Sequence, residues 1–349
     1  MKHSKFKAVD FFCGAGGMTF GMSSAGIEVI AGIDIDPECR ETYEVSNPSS
    51  KFILRDITQM NVEELKKYIY IKKNDKNMVF IGCSPCQYWT RLVTNKTKSE
   101  KSKNLLMDFL RFVEYYMPGY IVVENVPGIL KRSDTSNLPL FLAALRKMNY
   151  IMDYKIINTR DYGIPQNRVR FLLVASRVRT EINIPVLSNS KHAKVKYFIG
   201  AHNGFPKIKA GTRDLTDFLH TTTRLSNANI KRLRCTPKNG GNRLSWKDNP
   251  ELQIRAYRGK DNTFRDTYGR LSWNKPSSTI TTKFISISNG RFAHPEENRG
   301  LSLREGATLQ TFPREYKFIG NSIMTIARQI GNAVPPTLSK MIANVIIDS

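Results

Sequence analysis

Paired cysteine is the first thing this 349-residue chain lacks. Its five cysteines, Cys13, Cys39, Cys83, Cys86 and Cys235, are odd in number and show no framework spacing, which excludes a secreted disulfide scaffold and fits a reducing compartment. Only Cys83 and Cys86 stand in a C-x-x-C frame, and no second pair exists to complete a zinc site, so no metal is expected. Long apolar runs are also missing: no stretch approaches the roughly 18 residues of a spanning helix. The amino-terminal "MKHSKFKAVDFFCGAGG" reaches glycine after only a short strand-like segment, which predicts a cytoplasmic protein without a membrane partner. Internal repeats and low-complexity blocks are absent.

Acid is scarce relative to base. Against 54 Lys and Arg stand 30 Asp and Glu, a net charge of +24, which argues for a polyanionic partner over a small metabolite. Residues 179–320 hold 26 basic and 11 acidic side chains, against 26 and 18 in residues 1–178, so the excess is concentrated in the middle of the chain. A phosphate-binding lobe is expected there.

What is present has an alternating rhythm. "KAVDFF", "EVIAGIDID", "KFILRDI", "NMVFIG" and "YIVVENV" read as strands, and "ECRETYEV", "VEELKKYI" and "LLMDFLRFVEYYM" as helices between them. Strands separated by helices imply a doubly wound, Rossmann-like α/β sheet, mostly parallel, with ligands at the strand ends. From Ile182 the rhythm breaks into short runs interrupted by Asn, Gly, Pro, Thr and Arg, as in "HNGFPKIKAGTRD", which predicts a loop-rich second domain. The last segment, "QIGNAVPPTLSKMIANVII", ends in an apolar helix expected to return to the first domain.

Three stretches carry chemistry. "DFFCGAGGMTFG" places glycines after the first strand, where backbone can approach a ligand, and Asp34 and Asp36 end the next strand, where a carboxylate can accept from ribose hydroxyls. Thr19 stands where a dinucleotide fingerprint wants Gly or Ala, so the loop favours some other nucleoside-bearing cofactor. "IGCSPCQYWT" reads equally as a redox pair, half a metal site, or one nucleophile beside a bystander. Glu124 in "VVENVPG" and Gln166, Arg168 and Arg170 in "YGIPQNRVRF" stand at strand edges, where charged groups can meet a ligand.

In order along the chain, "DFFCGAGG", "SPCQ", "ENV", "QNRVRF" and "QIGNAVPP" resemble the motifs of the C5-cytosine DNA methyltransferase family, with a variable basic segment before the last. "RGLSLREGATLQTFP" and "STIT" at Ser278 to Thr281 resemble further blocks of that family. The resemblance implies an S-adenosylmethionine-dependent methyltransferase domain with a smaller target-recognition domain. It makes Cys86 the nucleophile that adds to C6 of a flipped cytosine and leaves Cys83 the bystander. It gives Glu124 the contact to N3, Arg170 the contact to O2, and Arg168 a phosphate near the flipped nucleotide. For the cofactor it implies Phe12, Gly14 and Gly17 along the pocket, Asp34 on the ribose, Asp56 with Ile57 at the adenine, and Asn332 with Val334 closing the site. Ile35 stands where many relatives carry an aromatic residue on the adenine. Residues 90–104 resemble a lid that closes over DNA.

The expected division is therefore 1–181 catalytic and cofactor-binding, 182–318 target recognition, and 319–349 returning to the catalytic domain. The expected partner is double-stranded DNA, met by a monomer associated with a bacterial nucleoid. A cognate restriction endonuclease is expected to act on the same site without a stable complex. An RNA (tRNA) cytosine-5 methyltransferase and a catalytically silent DNA-binding regulator remain as alternatives.

Overall fold

The computed structural model describes residues 5–84, 104–131, 136–188 and 190–348. They form two compact units, one of residues 1–158, 169–187 and 336–349, the other of residues 159–168 and 188–335.

The first unit is built on a seven-stranded sheet. Its strands are β1 (Lys7–Phe11), β2 (Glu28–Asp34), β3 (Lys51–Leu54), β4 (Met78–Gly82), β5 (Tyr120–Asn125), β6 (Ile151–Asn158) and β8 (Val169–Ser176), in the order β3-β2-β1-β4-β5-β8-β6. β1 to β5 pair in parallel, whereas β8 runs antiparallel between β5 and β6. All six residues of β5 are buried, as a central strand covered on both faces requires. The strand order reverses between β1 and β4, the switch point at which open α/β sheets take ligands.

One face of that sheet is closed by the helix Leu105–Tyr116, whose buried Leu106, Phe109, Leu110, Val113 and Tyr116 recur at helical spacing. Phe11 of β1 meets Phe109 and Phe112 at ring-centroid distances of 5.2 and 5.1 Å. The helix Gly17–Ser24 packs against the C-terminal helix Pro336–Asp348 so closely that a Cβ on Gly21 would stand 2.4 Å from the Pro336 carbonyl. Ser339 Oγ donates to the Met18 carbonyl there at 2.6 Å.

The second unit has little regular structure. The two-residue strands β7 (Gln166–Asn167) and β9 (Ser277–Ser278) pair in parallel, beside the helices Asn227–Cys235, Leu303–Leu309 and Ile323–Asn332. Residues 159–168 and 319–335 pack in this unit, on the far side of the boundaries drawn from the linear sequence. Buried arginines hold its loops. Arg270 donates to the carbonyls of Leu233, Thr236, His294 and Glu297, and Arg304 to those of Asp217, Phe218, Pro313 and Tyr316. Arg299 makes a two-pronged pair with the fully buried Glu305 at 2.7 and 2.9 Å. A share of the positive charge in this segment therefore satisfies backbone and carboxylate groups inside the fold, where an unpaired polar group would be costly.

No helix among the described residues is long and apolar enough to cross a membrane.

Candidate active site

β1 ends in a turn that only part of its sequence suits. Gly14 and Gly16 take φ of 50° and 84°, and Phe12 stands at 64°, a conformation rare for a side chain of its size. A Cβ built on Gly14 would meet nothing within 4 Å, so the backbone faces open space at that point. The turn is tied to the end of β2 by Asp34. Its Oδ2 accepts from the Gly14 N–H at 2.7 Å and its Oδ1 from the Asp36 N–H at 2.9 Å. Burial pushes the Asp34 carboxyl above its usual range, and those two N–H groups partly oppose the shift. Each oxygen keeps a lone pair for a further donor.

Beside it, Ile35 is 63% exposed, an aliphatic surface at the mouth of the sheet. Asp56, just after β3, caps the turn through the Thr58 N–H at 2.9 Å. The Ile57 side chain is buried in the core while its carbonyl accepts from Arg111 at 2.6 Å. A carboxylate, open backbone and an exposed apolar side chain at adjacent strand ends fit a nucleoside: hydroxyls for Asp34, a flat ring for Ile35.

Beneath this turn lies a chain of groups absent from the sequence-based candidates. Thr19 donates to Asp10 Oδ2 at 2.7 Å, Tyr43 OH stands 3.1 Å from Thr19 Oγ1, and Ser50 Oγ lies 2.6 Å beyond. Asp10 is fully buried, and its Oδ1 has no hydrogen-bond partner. Desolvation by burial pushes its carboxyl up to about 7, although the Thr19 hydroxyl lowers it. The signal in the sequence was an acid inside the apolar strand "KAVDF".

At the other side of the switch point, β5 delivers Glu124 and β8 delivers Arg170. Arg170 Nε stands 2.9 Å from Glu124 Oε1, with side-chain exposures of 14% and 8%. The contact is ionic without a well-aligned hydrogen bond, since Glu124 Oε1 receives no directed donor. Arg170 also donates to the Val169 carbonyl at 2.7 Å. The next residue, Asn125, reaches from β5 to Ser84 Oγ at 3.1 Å and accepts from the Val126 N–H at 2.9 Å. Ser84 closes the described part of the segment after β4. Cys86, like Gln87 and residues 90–103 of the expected lid, lies outside the described residues. Cys83 is half-buried.

The other expected site residues fall in the second unit. Arg168 is 4% exposed and donates to the carbonyls of Ile280 at 3.1 Å, Gly331 at 3.4 Å and Ala333 at 3.1 Å. Its guanidinium thus grips the chain on both sides of Asn332, which is exposed, while Val334 is buried. Gln166, also buried, joins the same core through Gln310 Oε1 at 2.6 Å and the Ile280 N–H at 3.1 Å. Both terminal nitrogens of Arg168 thus face protein carbonyls.

Comparison with known proteins agrees with this geometry. Residues 6–348 match the model of the C-5 cytosine-specific DNA methylase family. The chain is 34% identical over 341 residues to the Type II methylase M.HgiDII of Herpetosiphon aurantiacus, covering 96% of this chain and 93% of that one. It is 30% identical to the Type II methyltransferase M1.HphI of Haemophilus parahaemolyticus, covering 97% and 86%. Among solved structures, a putative prophage-encoded DNA modification methyltransferase from E. coli superposes with a TM-score of 0.71 at 20% identity, covering 98% of this chain and 99% of that one. The seven-stranded sheet is accordingly the Rossmann-like fold of S-adenosylmethionine-dependent methyltransferases, and the chain belongs to the C-5 cytosine-specific DNA methylase family as a DNA (cytosine-5-)-methyltransferase.

Proposed function

We propose that the chain methylates C5 of a flipped cytosine in duplex DNA through a transient bond between Cys86 Sγ and C6. Cytosine C5 is a poor nucleophile; thiolate addition at C6 makes it enamine-like and able to attack an electrophilic methyl. S-adenosylmethionine, when bound, supplies that methyl as a sulfonium. Phe12, Gly14, Gly17, Asp34, Ile35, Asp56 and Ile57 of the first unit would hold it.

The observation that carries the reading is the Glu124–Arg170 pair across β5 and β8. Among the described residues Glu124 Oε1 meets no directed donor, which leaves the carboxyl group able to accept from the exocyclic amine of cytosine and, when protonated, to donate to N3. Arg170 neutralises that buried carboxylate and brings donors for O2. Asn125, the neighbour of Glu124, bonds Ser84, the last described residue before the segment that carries Cys86. Arg168, bonded to the carbonyls on both sides of Asn332, is read as a positioning residue for that segment.

The second unit reads the DNA sequence and the first performs the chemistry. The expected setting is a restriction-modification system, as in the Type II relatives, with a restriction endonuclease sharing the site and a monomeric, cytoplasmic methyltransferase working independently of it. Transfer of tritium from labelled S-adenosylmethionine to duplex DNA versus tRNA, with bisulfite sequencing of the product, tests the substrate. Cys86→Ser should abolish transfer and Cys83→Ser retain most of it; equal loss in two folded variants would restore the dithiol reading of the C-x-x-C pair.

A further inference from the structure

Within the second unit, residues 255–266 form a loop whose shape is imposed by one buried side chain. Arg243, 3% exposed, donates through Nε to the Phe264 carbonyl at 3.2 Å and through a terminal nitrogen to the carbonyls of Lys260 and Thr263. Its remaining nitrogen lies 3.8 Å from Asp261, and the guanidinium stands 4.9 Å from the centre of the Tyr257 ring. With these carbonyls drawn inward, Asn262, Thr263, Phe264 and Arg265 are all exposed. Phe264 is 61% exposed and is held at φ 52°, a conformation strained in a bulky residue that persists only where the surroundings enforce it.

The loop's charges are sorted in the same direction. Asp261 faces Arg243, and Asp266 pairs with Arg291 at 2.9 Å, so both acids are engaged from the body of the unit. Arg255, Arg258 and Lys260 are exposed and make no ion pair among the described residues. An exposed aromatic beside short polar side chains, flanked by unpaired cations on a prebuilt backbone, is complementary to the edge of a base pair between two phosphate strands.

We propose that residues 255–266 are the reading loop for duplex DNA, with Phe264 the apolar base contact, Asn262 and Thr263 the polar ones, and Arg255, Arg258 and Lys260 the phosphate contacts. Arg243 is a positioning residue: it is too deeply buried to touch DNA, and it pre-organises the loop so that little ordering cost remains on binding. The inference rests on the reading of the second unit as the recognition domain.

The test begins with the methylation consensus of the wild-type chain, obtained by bisulfite sequencing. Phe264→Ala should lower kcat/KM on that site by about ten-fold or more and relax the consensus at one base pair, a loss typical of one base contact. Arg243→Met should relax discrimination between the site and its one-mismatch neighbours while speeding amide exchange at residues 260–264. Replacing Arg255, Arg258 and Lys260 by Gln should leave the consensus intact and flatten the salt dependence of DNA binding by about 0.9 in slope for each phosphate no longer neutralised. A folded Phe264→Ala chain with wild-type consensus and kcat/KM, together with an unchanged slope in the triple variant, would overturn the loop assignment alone. A wild-type chain that methylates no duplex DNA would overturn the recognition-domain reading and the loop with it.

Discussion

Asp10 gives the sharpest prediction about the ground beneath the cofactor turn. It is fully buried, one oxygen accepts from Thr19, and the other has no hydrogen-bond partner among the described residues, so its ionised form is poorly supported in the folded chain. Its carboxyl is pushed from 3.8 up to about 7, and at about 1.4 kcal/mol per unit that amounts to roughly 4 kcal/mol. The sign follows from proton counting. Between these two values the folded state holds a proton that the unfolded state has released, so the contribution is fully present below pH 3.8 and is lost as pH rises through about 7. Asp10→Asn cannot ionise. It places an amide N–H where Oδ1 found no partner, at a pH-independent cost of about 1–3 kcal/mol. Urea unfolding of both proteins at pH 5 and pH 8 should therefore show the difference moving in the variant's favour by about 3 kcal/mol at the higher pH. A constant offset at both pH values would refute the burial argument and mean that Asp10 is charged in the folded chain throughout.

Three further outcomes follow from the site. Glu124→Gln should lower turnover by about 10²- to 10⁴-fold, the usual range for losing a positioned acid, with S-adenosylmethionine affinity by calorimetry unchanged; normal turnover would remove Glu124 from the chemistry. Asp34→Ala should weaken S-adenosylmethionine binding by about ten- to a hundred-fold, since it removes both the ribose acceptors and the anchor of the Gly14 turn. Unchanged affinity would contradict that placement. Arg168→Met leaves three interior carbonyls without their donor and should cost about 3 kcal/mol of stability while sparing the salt dependence of DNA binding. A phosphate ligand would show the reverse.

The sheet was legible because its strands are nearly pure apolar runs ending in glycine or acid: "KAVDF", "EVIAGID" and "MVFIG" lie where the pattern placed them. The reversal of β8 was harder to read, because an apolar run such as "VRFLLVAS" carries no direction. The clue lay in the connection: ten residues without a long helix separate β6 from β8, too short for the crossover that a parallel pair needs. β6 itself escaped notice because it is an edge strand, half-buried along most of its length and carrying Asp153 and Lys155. The helix expected around "VEELKKYI" is a short 3-10 turn over Val62–Lys67, capped by Asn61.

Glu124 and Arg170 stood out through the motifs "ENV" and "QNRVRF"; that they pair with each other across β5 and β8 was not legible in the sequence. The interior carbonyls that Arg168 meets were not legible, since composition counts every arginine as outward charge. Arg243, Arg270 and Arg304 repeat that lesson: each is buried, serving carbonyls of loops well separated in sequence, while buried Arg299 serves the nearby Glu297 and Glu305. Such partners exist only once the chain is folded, so neither periodicity nor charge counting reveals them.

The covalent route is tested most directly with duplex DNA carrying 5-fluorocytosine at the methylated position. Attack by Cys86 and methyl transfer leave C5 bonded to both fluorine and methyl, with no proton to remove, so elimination stalls. The expected result is a protein–DNA band that survives denaturing electrophoresis and requires S-adenosylmethionine, the recognition sequence and Cys86. A chain that methylates ordinary DNA yet yields no such band on a verified fluorinated site would contradict addition of Cys86 to C6.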